Sequence, residues 1–141
     1  ELRQYICDFP EPILIGHKCV VALPHIGAST AEAEENCAIM AVNQLRDYLE
    51  NGNIVNSVNF PYTVMAREAS VCRLTFMNEN VSGVLGNVLS VFAKYNVNVI
   101  DMMNKSRDTV AYNILDFSEK PSDEVIEAVK SVEHVISLRV L

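Results

Sequence analysis

Residues 71–117 read VCRLTFMNENVSGVLGNVLSVFAKYNVNVIDMMNKSRDTVAYNILDF, and this stretch decides the fold of the chain. Three short runs rich in β-branched and aromatic residues predict strands, at residues 71–77, 97–103 and 109–117. Residues 82–94 carry apolar side chains at helical spacing, which predicts an amphipathic helix between the first two strands. The polar run 105–108 predicts the turn between the last two strands.

The last part of the chain completes this pattern. Ser122 follows Pro121 and precedes two acidic residues, which is typical of the start of a helix, and residues 134–141 predict a closing strand. The predicted order is βαββαβ, the ferredoxin-like α+β motif. Because both helices of this motif cover one face of the sheet, we expect its other face and its edges to be left for a partner.

The beginning of the chain has a different pattern. Two short apolar runs predict buried strands, at residues 5–7 and 19–23. Ser29 and Glu32 have the spacing of a capping box, which predicts a helix that runs to Asn51. Gly52 then provides the left-handed residue that commonly follows a helix.

Domain boundaries are predicted from the mixed stretch 54–70, in which Pro61 argues against a regular element. We therefore expect a first part at residues 1–53, a linker at 54–70 and a small domain at 71–141. The absence of an initial methionine suggests a fragment of a longer protein.

Composition excludes several classes of function. The chain has 141 residues, half of them apolar, and a formal net charge of −7 without basic runs, so nucleic acid is not an expected partner. No apolar stretch reaches the roughly 20 residues that span a membrane. The four cysteines form no CxxC pair, and we interpret them as reduced, mostly buried thiols of a cytoplasmic protein.

His25 is the first candidate for chemistry. It lies between a predicted strand and a helix start, where open α/β sheets bind ligands, and Asp8 and Glu11 follow the preceding strand. A carboxylate beside the imidazole would orient the ring for proton transfer. The alternative is a surface histidine without a catalytic role.

The second candidate is the loop Asn78-Glu79-Asn80-Val81-Ser82-Gly83. Amides at a helix N-terminus can bind an anion, Gly83 allows close backbone approach, and the asparagines offer donors and acceptors for an amino-acid zwitterion. The alternative is that Asn80 or Ser82 only caps the helix.

The segment Pro24-His25-Ile26-Gly27-Ala28-Ser29-Thr30, followed by Val58-Asn59-Phe60-Pro61, resembles the D-3-phosphoglycerate dehydrogenases of the D-2-hydroxyacid dehydrogenase family. The resemblance implies that residues 1–53 are the terminal strands and long helix of a Rossmann-type α/β enzyme. It also implies an NAD-dependent oxidation of 3-phosphoglycerate in L-serine biosynthesis.

The resemblance assigns roles to four residues. His25 matches the general acid/base, Glu11 the glutamate that orients it, and Asp8 and Gly27 lie near the cofactor together with His25. The family's substrate arginine and glycine-rich nucleotide loop are not in this sequence, so we expect the isolated chain to bind no NAD and to be inactive.

Residues 72–141 resemble the ACT regulatory domain. This resemblance implies that Asn78, Asn80 and Gly83 hold an amino-acid effector, with L-serine as the first candidate, and that Asn98 of a neighbouring subunit completes the site. It also implies a homodimer or larger assembly. Two alternatives stay open: an amino-acid-binding regulator that is not an enzyme, and a dimerisation module without a ligand.

Overall fold

The computed structural model describes residues 4–68 and 72–141. The contacts divide the chain into two compact units, Glu1–Val42 and Asn43–Leu141. The second unit therefore includes most of the predicted linker, whereas the predicted boundaries placed those residues outside the small domain. Val71, the predicted first residue of a strand, lies outside the described residues.

Two short strands pair in the first unit, and a long helix follows them. Strands β1 (Tyr5–Cys7) and β2 (Val20–Ala22) are parallel, and helix α1 spans Ala31–Asn51. The prediction that both strands are buried is wrong, because each three-residue strand has one neighbour and most of its residues are exposed.

The prediction of mostly buried thiols is also wrong. Cys37 is exposed on α1, none of whose residues is fully buried, and the other three cysteines are half-buried. All four are free thiols. Burial raises the pKa of the Cys72 thiol, although Arg67 and Lys120 act in the opposite direction.

Both ends of α1 are determined by local chemistry. The predicted capping box is displaced by one residue, because Thr30 rather than Ser29 is the cap and its hydroxyl accepts from the Ala33 amide at 3.1 Å. Gly52 has a φ of 73° and its amide donates to the Tyr48 carbonyl, which confirms the predicted end of the helix.

The second unit contains a four-stranded antiparallel sheet with the strand order β4-β5-β3-β6. Its elements are β3 (Cys72–Glu79), α2 (Val84–Lys94), β4 (Val99–Arg107), β5 (Val110–Phe117), α3 (Asp123–Lys130) and β6 (Val135–Val140). This order confirms the predicted βαββαβ motif and its α+β class. Ser122 accepts from the Val125 amide, which confirms the predicted cap of α3.

The hairpin between β4 and β5 is tighter than predicted. Residues Lys105 to Arg107 belong to β4 and are paired with β5, so the turn consists of Asp108 and Thr109. Asp108 has a φ of 52°, a conformation that aspartate tolerates better than most residues. The predicted turn was too long because local polarity cannot distinguish an exposed edge strand from a loop.

The sheet buries apolar side chains on both faces. One face packs against α2 and α3 through a core that includes Leu74, Phe92 and Leu115. On the other face, Ile54 and Met65 pack with Tyr112 and other side chains, and an isolated bridge joins Ile54 to Thr63. The expectation that this second face is left for a partner is therefore wrong in part, because the chain covers some of it.

The end of α1 is attached to the sheet within the second unit. Its last carbonyls, and the one that follows, accept from Arg139 (at Leu49), Arg67 (at Glu50), Arg73 (at Asn51) and Tyr112 (at Gly52). These donors satisfy carbonyls that have no partner inside the helix, and the arginines complement its dipole. Burial raises the pKa of the Tyr112 hydroxyl.

Candidate functional site

His25 and Asp8 form a side-chain pair in the first unit. Asp8 directly follows β1 and His25 comes shortly after β2, so the parallel strands bring both to one edge. Asp8 Oδ2 lies 2.9 Å from His25 Nδ1, and the Phe9 ring lies 4.2 Å from the imidazole, centre to centre. The sequence predicted a carboxylate–histidine pair here, and the carboxylate is that of Asp8.

This geometry determines which imidazole nitrogen is available. An ionised carboxylate only accepts hydrogen bonds, so Nδ1 donates to Asp8 and Nε2 is left for proton exchange. Both side chains are more than half exposed, at 55% for His25 and 59% for Asp8. An ion pair this exposed adds little to stability.

Glu11 and Gly27 are the other two predicted residues of this site. Neither takes part in the His25–Asp8 contact. Glu11 precedes a short 3-10 turn at Pro12–Leu14, and its side chain makes no hydrogen bond or ion pair within residues 4–68 and 72–141. Gly27 lies in the exposed turn after His25, and a Cβ built there would meet no described atom within 4 Å. The imidazole thus contacts Asp8 and Phe9, and Gly27 is exposed two residues after it.

The loop after β3 contains the predicted effector residues. Asn80 is exposed, and its Nδ2 donates to the Asp108 carbonyl at 3.0 Å. Gly83 has a φ of 92° and precedes α2, which has no side-chain cap. The alternative in which Asn80 or Ser82 caps this helix is therefore wrong, and no side chain of residues 4–68 or 72–141 caps the start of α2.

Asn78 and Asn98 lie in contrasting positions. Asn78 is only 3% exposed, and its side chain contacts Asn113 and the Glu79 carbonyl. Asn98 is exposed and directly precedes β4, whereas it was predicted inside a strand. Strand pairing puts Val99 at the opposite end of the sheet from Glu79, roughly 23 Å away along eight-residue β3. One small ligand cannot contact Asn98 and Asn80 of the same chain.

Sequence reasoning missed two groups of polar residues around this loop. Asn113 and Asn104 continue from Asn78 across the sheet, and His134 Nδ1 lies 2.8 Å from Glu79 Oε2. The signal for the first group was present, because Asn113 and Asp116 interrupt a strand whose other residues are apolar or aromatic. The His134–Glu79 pair has no local signal, since 55 residues separate its members.

Two further kinds of site were searched in the described part of the chain. No group of three or more histidine, cysteine or acidic side chains is placed to hold a metal ion there. Among those same residues, no helix combines the length and the apolar character needed to cross a bilayer.

Comparison with solved structures gives likenesses over about half of the chain. The ACT domain of a GTP pyrophosphokinase from Chlorobium tepidum covers 50% of this chain and 96% of its own, at 16% identity and a TM-score of 0.45. The regulatory subunit of aspartate kinase from Thermus thermophilus covers 51% of this chain and 52% of its own, at 13% identity and a TM-score of 0.43. Both scores are below 0.5, so the fold assignment rests on the strand order of the chain itself.

Comparison of sequences gives longer matches. No model of a protein family matches the chain. D-3-phosphoglycerate dehydrogenase of Haemophilus influenzae is 30% identical over 122 residues, and that of Escherichia coli is 31% identical over 138 residues. These matches cover 86% and 96% of this chain but 30% and 32% of the relatives. The chain is therefore similar to D-3-phosphoglycerate dehydrogenases along most of its own length, and it spans about a third of the length of these relatives.

Proposed function

We propose that this chain is part of an NAD-dependent D-3-phosphoglycerate dehydrogenase of L-serine biosynthesis, acting in the cytoplasm. The observation that carries the proposal is the His25–Asp8 pair at the edge of β1 and β2. It lies in the segment whose sequence resembles the catalytic part of these enzymes. The relatives' shared name supports the substrate, 3-phosphoglycerate.

The roles of the residues follow from the pair. His25 Nε2 would take the proton of the substrate's C2 hydroxyl, while Asp8 holds the ring and stabilises the imidazolium that forms. NAD, when bound, supplies the acceptor for the hydride from C2. Gly27 is exposed and has no side chain to hinder the approach of a flat ring, so we propose that Asp8, His25 and Gly27 lie near the nicotinamide. Glu11 stays a candidate for a second orienting carboxylate.

Activity of the longer protein tests this proposal directly. A protein that contains this segment together with a glycine-rich nucleotide loop should reduce NAD when given 3-phosphoglycerate, measured by absorbance of the reduced nicotinamide. Reduction with other 2-hydroxy acids but not with 3-phosphoglycerate would contradict the substrate assignment. No reduction with any of them would favour a regulator that is not an enzyme.

We further propose that residues 71–141 form an ACT domain that binds an amino acid at the loop 78–83. The uncapped start of α2 supports the position of a ligand carboxylate near Gly83. Asn80 is exposed beside it and is oriented by the Asp108 carbonyl. L-serine is the proposed effector, as the end product of the proposed pathway.

The register of β4 supports a site shared between two chains. β4 is an edge strand, and its midpoint is Met103. If two copies pair antiparallel about Met103, residue 98 of one chain lies opposite residue 108 of the other. Asn98 of the partner subunit would then lie beside Asp108, whose carbonyl accepts from Asn80. This pairing brings the partner's Asn98 to the Asn80–Asp108 pair, from which Asn98 of the same chain is distant.

Replacing Asn80 by alanine should weaken L-serine binding by about 1–3 kcal/mol, because the ligand loses a hydrogen-bond partner in the closed site. Titration calorimetry of the chain measures this change. Asn43→Ala, on the exposed surface of α1, is the matched control and should bind as the unaltered chain does. Equal weak heats for L-serine, glycine and L-alanine, unchanged by Asn80→Ala, would leave a domain that only joins subunits.

The chain should be a dimer or larger in solution, through the β4 edges of two ACT domains. Sedimentation equilibrium measures its mass. Met102→Lys places a charge on β4, where it should block edge pairing and weaken the dimer, whereas Ile136→Lys on the opposite edge strand, β6, should not. A monomer at high micromolar concentration would contradict this prediction, and dissociation by Ile136→Lys alone would move the interface to β6.

A further inference from the structure

Three asparagine side chains form a continuous hydrogen-bonded row across three neighbouring strands. Asn104 on β4 donates through Nδ2 to Asn113 Oδ1 on β5 at 2.6 Å. Asn113 Nδ2 donates to Asn78 Oδ1 on β3 at 2.8 Å. Asn113 is fully buried and Asn78 nearly so, while Asn104 is exposed at the sheet edge. The row thus leads from an edge strand to the proposed effector loop.

The row lies on the face of the sheet that packs against the helices. Alternate residues of a strand share a face, so Asn78 follows Leu74 and Phe76, and Asn113 precedes Leu115, on the side of the main core. An apolar residue would continue the core at position 113. Burying an amide there costs free energy unless its hydrogen bonds are made, so its presence calls for a role beyond packing.

Backbone carbonyls determine which way each amide points. Asn78 Nδ2 donates to the Glu79 carbonyl at 2.6 Å, and Asn113 Nδ2 also reaches the Phe76 carbonyl at 3.3 Å. A carbonyl oxygen can only accept, so the NH₂ groups must face these two atoms. Asn113 therefore donates from its NH₂ group to Asn78, and the Asn78 oxygen is the acceptor.

This orientation leaves Asn78 with a donor at the loop. Its oxygen is engaged by Asn113, and its nitrogen lies against Glu79, where the loop begins. One of the two N–H groups serves the Glu79 carbonyl, and the second can donate to a ligand oxygen. A ligand ammonium, which is itself a donor, finds no acceptor in this group.

We infer that Asn113 is a positioning residue that sets the effector selectivity of the loop by fixing the amide of Asn78. The inference rests on the proposed effector site near Gly83. The ligand carboxylate would bind the first amides of α2. The ligand ammonium cannot accept a hydrogen bond from the Asn78 N–H. This N–H is therefore left to donate to an oxygen on the ligand's side chain. The site therefore selects a hydroxyl amino acid over alanine or glycine.

The test compares selectivity rather than affinity alone. The full chain is titrated with L-serine, L-alanine and glycine, and L-serine should bind about tenfold more tightly than L-alanine. In Asn113→Leu, the Asn78 oxygen loses its donor and only the Glu79 carbonyl still orients the amide, so L-serine affinity should fall about tenfold while L-alanine affinity changes little. The ratio of the two dissociation constants then approaches one. The exposed Asn43→Leu on α1 is the matched control and should keep the original ratio.

A second variant protects the test against misfolding of Asn113→Leu. Asn104→Leu removes the exposed end of the row without altering the core, and it should lower the same ratio by about two- to threefold, as the loss of a partly exposed hydrogen bond implies. Nuclear magnetic resonance of the side-chain amides adds a readout without ligand, because the Asn78 NH₂ signal should shift in both variants.

The outcomes separate the two proposals. An equal loss of affinity for all three amino acids, with an unchanged ratio, would show a purely structural asparagine and overturn this inference alone. An unaltered chain that binds none of the three would overturn the effector site, and the selectivity role of Asn113 with it.

Discussion

Replacing Arg73 with methionine should lower the free energy of unfolding by about 3–5 kcal/mol, since removing one partner of a buried ion pair leaves the other charge uncompensated. Arg73 is fully buried, and its Nε and Nη2 atoms donate to the two oxygens of Asp116 at 2.6 and 2.7 Å. The same guanidinium donates to the carbonyls of Asn51, Met65 and Ala66. Urea unfolding, followed by circular dichroism, measures the change.

The matched control is Arg107→Met, in which a half-exposed arginine loses a weak pair with Asp108 at 4.0 Å. This variant should stay within about 0.5 kcal/mol of the unaltered chain. The double variant Arg73→Met, Asp116→Leu should recover part of the loss, because no charge is then left buried. If Arg73→Met costs no more than Arg107→Met, the pair does not hold the second unit together.

Replacing His25 with alanine should lower kcat by about 10²–10⁴-fold in a longer protein that reduces NAD with 3-phosphoglycerate, the loss expected when a general acid/base is removed. The measurement is the initial rate at saturating substrate. Because the imidazole is half exposed, the substitution should leave the folded structure intact, which circular dichroism checks. A variant with near-normal kcat would remove His25 from the chemistry.

Two conservative substitutions decide which carboxylate orients the ring. Asp8→Asn should lower kcat by roughly 10–100-fold, in line with the loss of a carboxylate that orients a functional histidine. Glu11→Gln should have a smaller effect, because Asp8 rather than Glu11 contacts Nδ1 in this structure. The reverse order would assign the role to Glu11, as the family resemblance suggests.

The order of the elements in the second unit could be predicted because each element has a local signature. Apolar spacing of about 3.6 residues distinguished the helices from the strands, and Ser122 and Gly52 marked helix ends through their own backbone and side-chain chemistry. The predicted boundaries of strands and turns were wrong where one sequence pattern is compatible with both structures. The polar residues Lys105 to Arg107 suit an exposed edge strand as well as a turn.

The candidate sites were predicted in part. The sequence placed a carboxylate beside His25, because both follow parallel strands, but spacing could not choose between Asp8 and Glu11. It placed Asn78 and Asn80 in one loop, whereas Asn78 is a buried residue of β3 and only Asn80 is exposed in the loop. Which of two candidate residues is available to a ligand depends on the direction of its side chain. That direction differs between residues that are close together in the sequence.

The sequence by itself determined the βαββαβ order, the helix ends at Gly52 and Ser122, and the segments that carry candidate chemistry, since these depend on interactions within a few residues. Only the tertiary structure decided that Arg73 meets Asp116, 43 residues away, and that Asn113 meets Asn78, 35 residues away. It also decided that residues near Ile54 and Met65 cover the second face of the sheet. The physical reason is that a buried polar group needs a hydrogen-bond partner, and tertiary packing can bring that partner from any part of the chain. A local sequence pattern does not show which distant residue it will be.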